Sequence, residues 1–133
     1  MAFVLDASVA VAWVVPSQAT DYAKRLRLRA KREPYHVPAI WPTEVANVLI
    51  TLERRALVSA QAATAAADVL SRLDPVVHLL GVSVAELRQL AGRFGLTAYD
   101  AAYLALALEL KLPVACGDRP LKAVLSRAGV KLA

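Results

Sequence analysis

The sequence predicts an α/β sandwich built on a parallel sheet, and three observations predict it. Short strand candidates alternate with helix candidates along the whole chain. The strand candidates are apolar at nearly every position, as strands covered on both faces are. Acidic residues stand just beyond two of them, at the carboxyl edge where open parallel sheets bind their ligands.

The elements follow in order. Ala2–Asp6 reads as a short buried strand ending in an acid. Ser8–Val15 reads as a helix, stopped by Pro16, because a residue before proline is pushed out of the helical region. Gln18–Arg32 reads as a helix with Tyr22, Leu26 and Ala30 on one face, and Tyr35–Ile40 as the second strand. Pro42 leads into a helix over Thr43–Arg55, with Val45, Val48, Leu49 and Leu52 forming its apolar stripe. Ser59 begins an alanine-rich helix that runs to Leu73; Pro75 precedes the third strand, Val76–Leu80. Ser83–Phe94 is helical and closes at Gly95, and Thr97–Leu110 is a strongly periodic helix. Pro113–Cys116 reads as strand four, Arg119–Ala128 as a helix ending at Gly129, and Val130–Leu132 as a last short strand. Nothing resembles a repeat, a linker or a low-complexity segment, so residues 1–133 are read as one domain.

A chain of 133 residues that is 58% hydrophobic can bury a core without staples. The single cysteine, Cys116, allows no internal disulfide, which suits a reducing compartment. The apolar run Val9–Val15 is preceded by no Lys or Arg and is flanked by Asp6, the reverse of a signal peptide. No apolar run approaches the roughly 20 residues needed to span a bilayer. The expectation is a soluble, cytoplasmic protein. A net charge of +5 and a pI near 9.7 favour a polyanionic partner.

Four of the eleven acidic residues stand at special places. Asp6 ends the first strand and Asp118 follows the fourth, while Glu44 and Asp100 lie in the first turns of two helices. If those helices begin on one edge of the sheet, four carboxylates converge. Bare anions so close would resist ionising, and a divalent cation relieves this. Hard oxygen ligands suit Mg²⁺ or Mn²⁺. A zinc set is not available: there is one cysteine, and His36 and His78 fall inside strand candidates. Each acid also has an ordinary explanation. Thr97–Asp100 and Ser83–Glu86 both have capping-box spacing, Glu44 could complement a helix dipole, Asp118 could cap the helix after it, and Ser8 could cap the first helix.

Four blocks carry a resemblance. Val4-Leu5-Asp6-Ala7-Ser8 resembles the opening of PIN-domain proteins, an apolar strand followed by Asp-x-Ser/Thr. The segment from His36 to Leu49, with its acid at Glu44, resembles the second block. Leu96–Ala107, around Asp100, resembles the third and is the most specific, and Leu112–Leu121, around Asp118, resembles the last. They occur in family order over nearly the whole chain. The toxin branch, the VapC-like proteins of toxin–antitoxin pairs, is the nearest likeness. The resemblance implies a three-layer sandwich with a five-stranded parallel sheet in the order 3-2-1-4-5. It also implies a Mg²⁺- or Mn²⁺-dependent endoribonuclease leaving 5′-phosphate and 3′-hydroxyl ends. Asp6, Glu44, Asp100 and Asp118 would form the acidic metal-holding quartet, with Ser8 as the supporting hydroxyl. One departure stands out: the family often has Thr or Ser two residues before its last acid, and here that residue is Cys116, a much weaker hydrogen-bonding group.

Metal-assisted phosphoryl transfer would then cleave the backbone: the ion binds the scissile phosphate and steadies the charge that develops on it. RNA contacts are expected from the run Lys24–Arg32, six basic residues in nine, with Arg25 and Arg29 as candidates. Arg119 and Lys122, nearer the acids, are alternative contacts. Trp13, Trp41, Tyr99 and Tyr103 are read as core or interface residues rather than base platforms. The expected partners are an RNA substrate, a cognate antitoxin protein and a second copy of the chain. The alanine-rich helix from Ser59 and the helix at Thr97 are the surfaces read for that copy. A mean hydropathy of +0.47 fits an apolar patch that a partner covers. The alternative is a non-catalytic RNA-binding module of the same fold. A receiver-like phosphoacceptor fits poorly, because Asp74 precedes the third strand and Lys131 lies inside the last.

Overall fold

The computed structural model describes residues 1–133. Four strands, β1 (Phe3–Leu5), β2 (Tyr35–Pro38), β3 (Val76–His78) and β4 (Val114–Ala115), form one parallel sheet in the order β3-β2-β1-β4. The register sets Val4 against His36 on one side and Val114 on the other. All of β1 is fully buried, as its apolar run requires. The edge strand β3, paired only with β2, is the exception: Val76 and Val77 are exposed.

The expected fifth strand is a single bridge. Leu132 pairs with Val114 alone, through Val114 N–H to the Lys131 carbonyl at 2.9 Å and Ala133 N–H to the Val114 carbonyl at 2.8 Å. The observed sheet is therefore 3-2-1-4, not 3-2-1-4-5. The reason is length: β4 offers two residues, and Gly129, at φ +76, turns the chain just before the closing segment.

Seven helices flank the sheet: α1 (Ala7–Val14), α2 (Asp21–Arg29), α3 (Trp41–Arg54), α4 (Ala60–Ser71), α5 (Val84–Phe94), α6 (Ala98–Leu110) and α7 (Pro120–Val124). A 3₁₀ turn, Pro16–Gln18, follows α1. Capping side chains set several starts. Thr20, Ser59, Ser83 and Thr97 each accept a hydrogen bond from the backbone N–H three residues on. The helix read from Gln18 thus begins at Asp21, after the Thr20 cap, and ends at Arg29. The helix read as Arg119–Ala128 is only five residues long, and the chain beyond Val124 proceeds in turns. Gly95 closes α5 at φ +65, a conformation that suits glycine.

Helix α6 packs against β1, β2 and β4 and is buried without a break from Asp100 to Ala107. That enclosure fixes one wall of the carboxyl edge. It also withdraws most of α6 from the role read for it as a face for a second copy. Trp13 of α1 meets Tyr35 edge-on, Tyr35 stacks on Phe3, and Arg29 of α2 lies over the Phe3 ring. No helix is long and apolar enough to cross a membrane.

Candidate active site

Asp6 is the first residue after β1 and the N-cap of α1, in extended backbone. It stands at the carboxyl edge of the sheet, yet its carboxylate caps no N–H; the side chain is wholly buried and turned elsewhere. Asp100, in the first turn of α6, is 4% exposed. The capping-box explanation of Asp100 fails on geometry. At Ser83, the hydroxyl accepts from Glu86 N–H at 3.1 Å and also meets the Glu86 carboxylate at 3.2 Å, so both side chains stay local. At Thr97, the hydroxyl accepts from Asp100 N–H at 3.1 Å, but the Asp100 carboxylate turns inward instead.

It turns towards Arg119. One guanidinium nitrogen donates to both oxygens of Asp6 at 2.9 Å, and the other donates to Asp100 Oδ1 at 2.5 Å. The Ser8 hydroxyl donates to Asp6 Oδ2 at 2.5 Å and accepts from Gly117 N–H at 3.4 Å. Ser8 therefore orients the acid and ties the β1–α1 turn to the loop after β4, rather than capping its helix. Arg119 was expected only as a backbone contact. Its adjacency to Asp118 at the strand-four edge was the available signal, since clustered acids need a counter-charge.

Glu44 lies in the first turn of α3, partly buried, and its Oε1 has no hydrogen-bond partner. Burial, then the charge of Asp6 and more weakly that of Asp100, raises its carboxyl above the usual carboxylate range; Arg119 offsets this only in part. The Tyr103 hydroxyl, one turn along α6 from Asp100, lies beside it, but no hydrogen bond of ordinary geometry joins the two. Burial and the Glu44 charge push the Tyr103 phenol far up, so it stays protonated. Asp100 is also raised, chiefly by burial, against the pull of Arg119. Burial opposes the charge of Arg119, but Asp6, Asp100 and Glu44 outweigh it and hold the guanidinium above its ordinary value.

Asp118 is placed apart. It is exposed and engaged in no ion pair or side-chain hydrogen bond. The cause is local. Pro120 begins α7, so Arg119 is held in extended backbone at φ −140, ψ 166. From this position Arg119 turns inward, while its neighbour Asp118, in the bend before α7, is exposed. Arg119, not Asp118, is the N-cap of α7. Asp6, Asp100 and Glu44 thus share one electrostatic site, whereas no three His, Cys, Asp or Glu side chains gather tightly enough to form a metal cage.

The other expected residues make no hydrogen bond or ion pair with Asp6, Asp100 or Arg119. Arg29 pairs with Glu33 at 2.9 Å, and Arg25 is exposed on α2. Lys122 is exposed on α7. Tyr103 and Trp41 are buried, while Tyr99 is exposed. Cys116 is wholly buried, and burial followed by the charge of Asp6 pushes its thiol up to about 12.

The PIN domain family matches residues 3–124, from the first strand to the end of α7. The chain belongs to the PIN-domain family. PIN domains are generally nucleases. No curated protein sequence matches this PIN domain. Among solved structures it is similar to PAE2754 from Pyrobaculum aerophilum, with TM-score 0.66 and 22% identity over 97% of this chain and 90% of that one. It is also similar to VapBC2 from Rickettsia felis, determined bound to a DNA fragment of its promoter, with TM-score 0.65 and 18% identity over 100% and 98% of the two chains. At these identities the likeness speaks for the fold.

Proposed function

We propose that this PIN domain is a Mg²⁺- or Mn²⁺-dependent endoribonuclease, the toxin of a toxin–antitoxin pair. The observation that carries the reading is that two buried carboxylates, Asp6 and Asp100, converge on a single cation. Leaving two such anions buried is costly without a positive charge between them. The donor set supports a hard divalent ion: carboxylate oxygens only, and the unpartnered Glu44 Oε1 alongside. The metal, when bound, supplies charge stabilisation at the scissile phosphate and a more acidic water.

The chain's own residues supply the rest. Asp6 and Asp100 would hold the ion. Ser8 fixes the orientation of Asp6 through its hydrogen bond to Oδ2. Glu44, with an unpaired oxygen and a raised carboxyl, orients water or takes up a proton at Oε1. Asp118, exposed at the rim, would have to turn inward to serve as a further ligand. Lys122 and Arg25, both exposed, contact the RNA backbone, while Arg29 is already held by Glu33.

The toxin assignment rests on the resemblance of the four sequence blocks, together with the fold shared with VapBC2. It implies an antitoxin partner in the cytoplasm and a homodimer. The exposed outer face of α4, rich in alanine, is the surface still open to a second copy.

The decisive experiment is RNA cleavage by the purified protein, free of antitoxin, in Mn²⁺ or Mg²⁺ against EDTA. The expected result is metal-dependent cleavage with 5′-phosphate and 3′-hydroxyl ends. RNA binding without cleavage in either metal would favour the non-catalytic module instead. The buried Cys116, which puts no hydroxyl near Asp118, is the feature that points that way.

A further inference from the structure

A cation already sits between the two buried acids, and it belongs to the chain. Arg119 Nη1 reaches both oxygens of Asp6, and Nη2 reaches Asp100 Oδ1. The Ser8 hydroxyl takes a further lone pair of Asp6 Oδ2. The guanidinium thus engages both oxygens of Asp6 and one of Asp100, the groups that would have to hold a divalent ion. Arg119 and such an ion cannot hold these carboxylates together, on grounds both of space and of like charge.

We infer that Arg119 is the resident occupant of the cation site, and that it must leave Asp6 and Asp100 before a divalent ion can bridge them. This rests on the reading above that these acids bind a divalent ion. The way out is open: the Arg119 side chain is 29% exposed, whereas those of its two partners are 0% and 6% exposed. Once released, the guanidinium stands at the rim near Lys122, a planar fork suited to a phosphodiester.

The same movement bears on Asp118. Arg119 and Asp118 are neighbours in the bend that leads into α7, one turned into the site and the other exposed. Turning that bend to carry Arg119 out would move Asp118 with it. One rotation could then exchange a competing cation for an anionic ligand.

Occupancy by Arg119 lowers the apparent metal affinity by the fraction of molecules in which the site is free. If the guanidinium is in place in about 90–99% of molecules, removing it tightens binding about ten- to hundredfold. The test is Mn²⁺ titration of the metal-free parent, Arg119→Met and Asp100→Asn by calorimetry. Methionine keeps much of the side-chain length and removes the charge. The expected result is tighter binding in Arg119→Met by that factor, and weaker binding in Asp100→Asn. A second measurement needs no variant: phenylglyoxal labelling of the parent, read at Arg119 by peptide mass spectrometry. Labelling should speed up when Mn²⁺ is added, because the guanidinium is expelled. Unchanged affinity in Arg119→Met overturns the inference while leaving the metal site standing. So does Arg119 labelling that Mn²⁺ leaves unchanged or slows, since any gain in affinity would then be long-range electrostatics around a guanidinium that stays in place. Absence of Mn²⁺ binding in both parent and Arg119→Met overturns the metal reading itself, and the inference with it.

Discussion

Arg119 engages both carboxylate oxygens of Asp6 at 2.9 Å, across 113 residues of sequence. It ties the loop after β4 to the end of β1, and through Asp100 to the start of α6. Three elements that meet at the carboxyl edge of the sheet are thereby held by one side chain.

Asp100→Asn should retain the fold and, without metal, melt at the same temperature as the parent or about 2 °C higher. Burial raises the Asp100 carboxyl more than Arg119 lowers it, so its charge opposes folding at neutral pH. Asparagine keeps an oxygen for Arg119 and drops the charge. Saturating Mn²⁺ should then stabilise the parent more than the variant, by up to about 2.7 kcal/mol at a hundred times Kd. Thermal melts with and without Mn²⁺ read this, and equal shifts in the two proteins would count against Asp100 as a ligand.

Glu44→Gln carries a pH signature. The folded carboxyl is raised by burial and then by Asp6. The cost of its charge is therefore present above the folded pKa and fades as pH falls through it, towards the unfolded value of about 4.3. In urea melts the variant should be more stable than the parent at about pH 7.5, and the gap should close near about pH 4.5. A gap that widens on acidification would contradict the placement of Glu44.

His36 and His78 share a ring-nitrogen contact of 2.8 Å between β2 and β3. Burial, then the charge of His78, lowers the folded pKa of His36. The unfolded chain takes up this proton at about 6.5, so stability should fall as pH drops below that value, until the folded pKa is passed. His78→Gln should lessen the loss between about pH 7.5 and pH 5.5, measured by urea midpoints.

Ser8→Ala removes the donor to Asp6 Oδ2 and the acceptor of Gly117 N–H. It should cost about 1–3 kcal/mol of stability, because a buried charged acceptor loses a bond. Metal affinity or cleavage should fall about ten- to hundredfold, the usual effect of removing a group that orients a ligand. Variants that melt and cleave like the parent would deny Ser8 this role.

Much of the fold was legible because local and global signals agree. Phe3-Val4-Leu5 can only be a covered strand, and the caps at Ser59, Ser83 and Thr97 mark the helix starts that the structure shows. The last strand misled because apolar Val130–Leu132 looks like a strand, while strand formation depends on the length of its neighbour, two residues at β4. At the site, Asp6 and Asp100 were legible from their positions at a strand end and a helix start. The exposure of Asp118 was not, because its neighbour Arg119 turns inward to charges brought together only by folding. Thr97–Asp100 and Ser83–Glu86 make the same point: identical spacing, but one acid stays at its cap and the other turns into the site.

If Asp6 and Asp100 hold the ion that drives RNA cleavage, loss of either carboxylate stops the reaction. The most direct test is the cleavage rate of parent against Asp6→Asn on the same RNA in Mn²⁺, with folding of both verified by circular dichroism. The parent should cleave, EDTA should abolish the cleavage, and Asp6→Asn should lose at least about a hundredfold in rate. Cleavage at the parental rate by folded Asp6→Asn would contradict this role of Asp6, and would place the chemistry somewhere other than beside Arg119.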